Sequence, residues 1–206
     1  MPAGITQSKA SQLGLFGQPP VTLAETHRLF FALMPDEATR HAIGRAAVLI
    51  QEQYPELRAR WVKSERYHAT LNFLGDYPQL PEDVVEKARA AAKQLCAVSF
   101  LWSLDYATSF RGREPPCVLR GTFVPDAMLV LWRDLNSALA HVGLHRHIER
   151  QFTPHVTLAY GRRELPQAAP VVPIAWQIES VALIHNVVGK GHYEQLGRWP
   201  LLNPTR

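Results

Sequence analysis

Two copies of the tetrapeptide His-x-Thr-Leu are the residues of this chain whose types and spacing suggest chemistry. The first begins at His68 and places Thr70 two residues later, and the second begins at His155 and places Thr157 likewise. Side chains alternate along a strand, so the histidine and threonine of each copy would share one face. The other two residues would then pack in a core. Two such strands facing each other would bring two imidazoles and two hydroxyls around one point.

Two imidazoles beside two hydroxyls are typical of acid–base cleavage at phosphorus. A neutral histidine takes a proton from attacking water, and a protonated one gives a proton to the departing alkoxide. Histidine suits both roles, because its ordinary pKa of about 6.5 makes both forms accessible near neutrality. Threonine hydroxyls can donate hydrogen bonds to the non-bridging oxygens, where negative charge accumulates. The scheme requires no metal, and it leaves open which histidine is the acid.

These motifs and their surroundings resemble the 2H phosphoesterases, in particular the RNA 2′,3′-cyclic phosphodiesterases, which are also known as 2′-5′ RNA ligases. The resemblance covers about residues 28–202. It rests on five segments: RLFFAL at 28–33, WV at 61–62, HATLNFLG at 68–75, FTPHVTL at 152–158 and YEQLGRWPL at 193–201.

The resemblance implies a bilobal fold in which the two motifs face each other across a central groove. It also implies hydrolysis of an RNA terminal 2′,3′-cyclic phosphate to a 2′-phosphomonoester, without a metal or another cofactor. By this resemblance His68 is the proton donor to the 3′ oxygen, and His155 is the proton acceptor that activates water. Thr70 and Thr157 would hold the phosphate. Some family members also join or split 2′-5′ linkages in RNA.

The chain departs from the family pattern at two places near the expected mouth of the groove. Many relatives carry a serine after the strand near residue 184, where this chain has Ile184–Asn186. Many also place an arginine after the second motif, where this chain has Tyr160. By regular alternation Tyr160 packs on the face opposite to Thr157, or it lies at the strand end and stacks on an RNA base. Both departures bear on substrate preference.

The rest of the pattern predicts the elements that position the motifs. Short apolar runs between turn residues predict strands at 28–34, 60–62, 68–74, about 98–106, 117–122, 155–160, 175–184 and near 193–196. Wider-spaced apolar stripes predict a helix from Pro35 to before Pro55, another over about 82–97, and a third from Asp126 to His141 with Gly143 as its stop. Strands outnumber helices and several read as hairpin partners. The predicted class is therefore α+β with mainly antiparallel sheets.

The order of these elements suggests an internal duplication. A strand, a helix, a His-x-Thr strand and a second helix in the first half are followed by a roughly similar succession in the second. Such weak symmetry favours two lobes that face each other across a cleft. Residues 1–27, rich in Gln, Ser, Gly and Pro, predict a flexible tail. Residues 28–206 are then a single bilobal domain with the helices outside.

The composition is that of a globular protein from a reducing compartment. Hydrophobic residues make up 47% of the chain, and two cysteines give no sign of a metal site. A formal net charge of +4 is compatible with an RNA or nucleotide partner. No apolar run approaches the roughly 20 residues that span a bilayer, and the first residues lack the centre of a signal peptide. We expect a cytoplasmic monomer with no membrane contact.

Several other residues are candidates for a functional site. Three arginines near the predicted strand at 117–122 could contact RNA phosphates, although a solvated loop explains the first two: Arg111, Arg113 and Arg120. A helix end and the segment after it carry four potential metal ligands, but their spacing favours a basic connection over a metal site: His141, His145, His147 and Glu149. Cys117 lies in an apolar strand pattern and is interpreted as a packing residue.

One short string in the tail points to a protein partner. Gln12–Phe16, with the sequence QLGLF, resembles the Gln-Leu-x-Leu-Phe peptide by which bacterial replication and repair proteins bind the sliding clamp. Its two apolar side chains on a flexible tether would need a preformed pocket. The sequence therefore predicts the clamp as a possible partner.

The leading hypothesis is a metal-independent cyclic phosphodiesterase that acts on RNA ends. The first alternative is a 2′-5′ RNA ligase, or a phosphodiesterase for small cyclic nucleotides, on the same fold. The second is a non-catalytic RNA-binding or clamp-tethered adaptor, which would have no need of two titrating groups. A metallohydrolase is the third, and insensitivity to a chelator would exclude it.

Overall fold

The computed structural model describes residues 25–203, which form nine strands and three α-helices. In chain order they are β1 (His27–Leu33), α1 (Glu37–Gln53), β2 (Arg60–Trp61), β3 (Ala69–Tyr77), α2 (Glu82–Ala92), β4 (Phe100–Ser109), β5 (Pro116–Arg120), α3 (Asp126–His141), β6 (Val156–Tyr160), β7 (Ala169–Ile178), β8 (Ser180–Val187) and β9 (Glu194–Pro200). All pairs of these strands are antiparallel. The predicted α+β class is confirmed.

The strands form two sheets, and each sheet contains one of the His-x-Thr strands. The first sheet has the order β3-β1-β8-β9, and the second has the order β2-β6-β5-β4-β7. The first motif therefore leads into β3 at an edge of the first sheet, and the second motif leads into β6 inside the second sheet. The two motif strands contact each other where the sheets meet.

The helices cover the outer faces of the sheets and bury the main core. Helix α1 packs against β7 of the second sheet, while α2 packs against α3 and against β8 and β9 of the first sheet. Asp36 caps α1 by accepting a hydrogen bond from the Thr39 backbone N–H at 2.7 Å. Pro35 therefore precedes the cap and is not in the first turn of the helix. Trp102 and Trp176 lie side by side in the core with ring centroids 5.6 Å apart.

The strand predicted over 175–184 is wrong, because this stretch belongs to two strands in different sheets. Strand β7 ends at Ile178, and β8 begins at Ser180, so the chain crosses between the sheets at Glu179. Burial alternates along the end of β7, an edge strand, but is continuous over 181–186 in β8, which has a strand on each side. The change of burial pattern marks the boundary, since no glycine or proline interrupts it.

Other boundaries also differ from the prediction. Helix α2 ends at Ala92, and not near 97; a turn follows it, and Val98 then forms a β-bridge with Leu202. The prediction for α3 is confirmed from Asp126 to His141, and Gly143 follows it with φ of 84°. The last strand, β9, extends to Pro200 instead of 196.

The predicted duplication holds only in part. After β6 the chain continues through a loop into β7, so no helix follows the motif strand in the part of the second half that the structure describes. The strand β1 begins at His27, within the predicted tail of residues 1–27. The QLGLF string at Gln12–Phe16 lies outside the described residues, and the clamp partner stays a prediction. None of the helices formed by residues 25–203 is long and apolar enough to cross a membrane.

Candidate active site

Both motif histidines are held in the same way at the entrance to their strands. His68 immediately precedes β3 and His155 immediately precedes β6. The Nδ1–H of His68 donates to the backbone carbonyl of Arg66 at 2.8 Å, and that of His155 donates to the carbonyl of Thr153 at 2.7 Å. In each case the acceptor lies two residues earlier in the chain. This hydrogen bond fixes the proton on Nδ1 in the neutral ring and leaves Nε2 for proton exchange.

The two histidines belong to one electrostatic site. Burial lowers the pKa of His68 to about 4; the carbonyl of Arg66 opposes this shift, and the charge of His155 contributes to it. Burial also lowers the pKa of His155, and the nearby Arg120 contributes to this decrease. Both rings are half-buried. Without a bound anion the site therefore favours two neutral imidazoles.

Each histidine also meets an aromatic ring edge-on. Tyr193 lies 5.4 Å from His68 with an interplanar angle of 85°. Phe110 lies 4.9 Å from His155 with an angle of 82°. These rings fix the orientation of the imidazoles. Phe30, from the centre of the first sheet, supports His68 from another side at 5.0 Å.

An arginine lies over each of the two edge-on rings, Tyr193 and Phe110. The guanidinium carbon of Arg66 is 4.9 Å from the centroid of the Tyr193 ring, and that of Arg120 is 6.0 Å from the centroid of Phe110. The Nε of both arginines is buried and has no hydrogen-bond partner in the described part of the chain. A buried donor without an acceptor is costly. The pair therefore places positive charge beside the two histidines.

The motif threonines lie on the face of their strands that is opposite to the core. Thr70 and Thr157 are half-buried, while the residues on either side of them are buried in the core: Ala69, Leu71, Val156 and Leu158. In the strand pairing Thr70 lies opposite Ala32 of β1, and Thr157 lies opposite Val118 of β5. The prediction that each motif has a polar face and a core face is confirmed.

Regular alternation stops at the motif leucine in both strands. Thr70 and Asn72 oppose adjacent residues of β1, so Leu71 is an extra residue without a partner. Thr157 and Ala159 oppose adjacent residues of β5, so Leu158 is an extra residue in the same position of its motif. Such a bulge reverses the faces of the residues that follow it.

The bulge corrects the prediction for Tyr160. Tyr160 and Thr157 oppose Pro116 and Val118, which are two residues apart in β5, so the tyrosine shares the threonine face. It is the last residue of β6 and is exposed, and Arg60 of β2 lies 5.1 Å above its ring. The alternative placement at the strand end is the one the structure shows, and packing on the opposite face is wrong.

The remaining candidates lie elsewhere or in structural roles. Arg111 and Arg113 are exposed in the loop before β5, whereas Arg120 lies beside the second histidine. Within residues 25–203 no group of three or more His, Cys, Asp or Glu side chains is placed to hold a metal ion, which includes the histidines around 141–147. Burial raises the pKa of the Cys117 thiol to about 12, as expected of a packing residue.

Sequence reasoning missed three side chains that frame the histidines: Arg66, Phe110 and Tyr193. Arg66 is two residues before the first motif, and this proximity is the one local signal it offers. Tyr193 begins one of the segments that carry the family resemblance. No motif or periodic pattern in the sequence identifies Phe110 as a site residue, because the pairing of β4 with β5 brings it to the site.

The low pKa of His68 makes the stability of the protein depend on pH. The unfolded chain, with an ordinary pKa of about 6.5, takes up this proton before the folded protein does. We expect the free energy of unfolding to fall as the pH decreases from about 6.5 to about 4, and His68→Gln to weaken this dependence. Urea denaturation at a series of pH values measures it.

The variant His145→Gln, at an exposed position, controls for the loss of an imidazole as such. Parallel pH dependences for the wild-type protein and His68→Gln would contradict the burial of a neutral His68.

Comparison with known proteins gives the family. The family model described as the 2′-5′ RNA ligase superfamily matches residues 34–190. A protein of Geobacillus stearothermophilus named RNA 2′,3′-cyclic phosphodiesterase is 32% identical over 151 residues, which are 69% of this chain and 48% of the relative. A protein of Thermotoga maritima with the same name is 29% identical over 106 residues, 48% of this chain and 52% of the relative. The chain thus spans about half the length of the curated relatives it matches.

A solved structure has the same fold. The crystal structure of E. coli LigT in its apo form superimposes with a TM-score of 0.69 and 25% sequence identity, covering 87% of this chain and 99% of that one. The paired histidines and threonines, the two antiparallel sheets and the matching family model lead to one assignment. The chain belongs to the 2′-5′ RNA ligase superfamily.

Proposed function

We propose that this protein hydrolyses the 2′,3′-cyclic phosphate at an RNA end to a 2′-phosphomonoester, by acid–base catalysis with two histidines. The observation that carries the proposal is the matched anchoring of His68 and His155. Each donates Nδ1–H to the carbonyl two residues earlier and keeps Nε2 for proton exchange, and both stand beside a threonine of the same motif. Two independently anchored proton-transfer groups in one site suit a reaction that needs an acid and a base.

The reaction exchanges one oxygen at phosphorus for another. His155, neutral, accepts a proton from water as the water oxygen bonds to phosphorus. His68, protonated, donates a proton to the 3′ oxygen as the bond from phosphorus to that oxygen breaks. The product keeps the phosphate on the 2′ oxygen, and the two histidines exchange protonation states. Proton exchange with solvent then restores them.

The surrounding groups stabilise the negative charge that develops on the phosphate. Thr70 and Thr157 donate hydrogen bonds to the non-bridging oxygens. Arg66 and Arg120 bring positive charge beside the two histidines, and each carries a buried Nε–H that lacks an acceptor. The positive charge of both guanidinium groups attracts the anionic phosphate.

The bound phosphate also favours the protonated form of His68, which is the proton donor. Burial holds the pKa of His68 at about 4, so the ring is neutral near pH 7 without substrate. A nearby negative charge raises the pKa of a histidine. An anionic substrate therefore favours protonation of His68 at the moment when its proton is required, and an imidazolium of low pKa is a strong acid towards the departing alkoxide.

The groove favours a nucleotide substrate over a small phosphodiester without a base. Arginines lie over the aromatic rings beside both histidines, and Tyr160 presents an exposed ring on the threonine face. Aromatic rings bind bases by stacking, and arginines bind the backbone. The curated relatives named above carry the name RNA 2′,3′-cyclic phosphodiesterase, which agrees with an RNA end as substrate.

The test compares three substrates in the presence of excess chelator: an RNA oligonucleotide ending in a 2′,3′-cyclic phosphate, adenosine 2′,3′-cyclic phosphate, and a 2′-5′-linked RNA. We expect the oligonucleotide to be converted to the 2′-phosphate, without loss of rate on adding chelator. A 3′-phosphate product, or a rate abolished by chelator and restored by a divalent metal, would contradict the proposal. Faster turnover of the mononucleotide would favour a small cyclic nucleotide as substrate.

A further inference from the structure

The carbonyl that anchors His155 has no backbone support of its own. It belongs to Thr153, in an irregular stretch of residues 148–154 before the second motif, which we call the approach segment. Within the described part of the chain, no hydrogen bond joins the backbone of this segment to another backbone group. By contrast, the carbonyl that anchors His68 ends a 3₁₀ turn that is closed by its own backbone hydrogen bonds. The second anchor therefore depends on side-chain contacts.

Helix α3 supplies such a contact to the approach segment. The indole of Trp132 stacks on the ring of Phe152, with centroids 5.3 Å apart and an interplanar angle of 9°. Both side chains are half-buried, and Phe152 packs against the main core. Thr153 follows Phe152, and its backbone is restricted to extended conformations because a proline comes next. The position of the Phe152 ring therefore controls the position of the carbonyl that orients His155.

The same helix is joined to the strand of the first motif by two buried amides. Asn72 lies two residues after Thr70 in β3, and its Nδ2 donates to Oδ1 of Asn136 in α3 at 2.7 Å. Both asparagines are buried. The Nδ2 of Asn136 also donates to the backbone carbonyl of Glu149, in the approach segment, at 3.5 Å. Helix α3 therefore contacts both the first motif strand and the segment that leads to the second histidine.

The amide pair is a directional contact in an otherwise apolar layer. A hydrogen bond restricts the distance and angle between its partners, whereas apolar contacts have no preferred direction. The Oδ1 of Asn72 is buried without a hydrogen-bond partner in the part of the chain that the structure describes. Burial of such an atom costs free energy, and two leucines would fill the space without this cost. The pair is therefore better explained by the fixed position that it gives α3 on β3 than by stability.

We propose that Trp132 and Asn136 are positioning residues, through which α3 sets the place of His155 relative to His68. This role rests on the proposed function, in which one histidine donates a proton and the other accepts one at the same phosphate. Asn136 fixes the helix to the first motif strand, and Trp132 holds the segment whose carbonyl orients the second imidazole. A displacement of about 1 Å between catalytic groups can cost roughly 100-fold in rate, because both must reach the reacting atoms together.

The first test removes the stacked ring. Trp132→Leu takes the ring away, and Trp132→Phe keeps an aromatic ring as the matched control. We expect Trp132→Leu to lower kcat on the cyclic-phosphate RNA by roughly 10- to 100-fold, with KM changed by less than about threefold. Trp132→Phe should keep most of the wild-type kcat. Urea denaturation confirms that each variant is folded.

The tautomer of His155 measures the positioning without reference to activity. Two-bond ¹H–¹⁵N spectra of protein with labelled histidines distinguish the two neutral tautomers, and His155→Gln assigns the signals by removing them. The wild-type protein and Trp132→Phe should show a single Nδ1–H tautomer of His155, and Trp132→Leu should show a mixture. His68, whose anchor has its own backbone support, should keep one tautomer in all three proteins.

The double variant Asn72→Leu/Asn136→Leu removes the joint without leaving an amide unpaired. Its free energy of unfolding should equal or exceed that of the wild-type protein, while kcat should fall by at least about fivefold. A purely structural role would change the stability and leave the kcat of the folded protein unaltered.

Either of two results would overturn the positioning role: a folded Trp132→Leu protein with the wild-type tautomer of His155, or a folded double variant with the wild-type kcat. If the wild-type protein does not hydrolyse the RNA, the spectra decide alone. A mixture of His155 tautomers in Trp132→Leu then supports the positioning role, and only the proposed reaction fails.

Discussion

Replacing His68 or His155 by alanine is expected to lower the turnover of a cyclic-phosphate RNA by about two to four orders of magnitude. Each ring is anchored through Nδ1 to a carbonyl of its own chain segment and keeps Nε2 for proton transfer, so alanine removes the group that exchanges the proton. Single-turnover rates at saturating substrate measure the chemical step. His145→Ala, at an exposed position, is the matched control and should keep the wild-type rate.

The same two variants separate the acid from the base. A nucleoside p-nitrophenyl phosphodiester has a leaving group that needs no proton. If His68 is the acid, His68→Ala should lose little activity on this substrate, whereas His155→Ala should lose as much as on RNA. The reverse pattern would exchange the two roles while keeping the two-histidine mechanism. Near-normal RNA hydrolysis by the double variant would contradict the mechanism itself.

Replacing Thr70 or Thr157 by valine is expected to cost about 1 to 3 kcal/mol of transition-state stabilisation, or roughly 5- to 150-fold in rate. Valine keeps the branched shape and the strand preference of threonine, so the change removes the hydroxyl and little else. Both side chains are half-buried, on the face of their strands opposite to a fully packed core. Steady-state kinetics on the cyclic-phosphate RNA measure the loss.

The split between kcat and KM tests what the hydroxyls do. Hydroxyls that act mainly on the charge developing in the transition state lower kcat when they are removed. Thr70→Ser and Thr157→Ser, which restore a hydroxyl, should recover most of the rate. A valine variant that raises KM and leaves kcat unchanged would show that the threonine only binds the ground state.

The sequence was sufficient to predict the faces of the motif strands up to the leucine. Alternation places Thr70 on one side and Ala69 and Leu71 on the other, and burial follows this pattern. Beyond the leucine the prediction failed for Tyr160, because an extra residue in the strand reverses the faces. A bulge is set by how two strands pair, and the sequence of one strand does not reveal its register with another.

The same limit explains the residues that frame the histidines. Tyr193, which contacts His68, immediately precedes β9 of the first sheet. Phe110, which contacts His155, immediately follows β4 of the second sheet. These pairs are far apart in the chain and depend on the order of strands in each sheet. The sequence also does not show that residues 175–184 are divided between two sheets. Both strands are apolar, so together they resemble one continuous strand.

The duplication in the sequence points to a symmetry that is clearest in the site. The two halves differ in their helices, yet each supplies a histidine anchored to the carbonyl two residues earlier and a bulge at the motif leucine. An arginine-covered ring also lies beside each histidine. The parts that contact the substrate in our proposal are thus more alike than the scaffold that carries them.

The most direct test of the central claim is an assay on an RNA oligonucleotide ending in a 2′,3′-cyclic phosphate, with excess chelator, on the wild-type protein and on His68→Ala and His155→Ala. We predict conversion to the 2′-phosphate by the wild-type protein and its loss in both variants. No conversion by the wild-type protein, or conversion that persists in either variant at the wild-type rate, would contradict two-histidine hydrolysis of RNA ends.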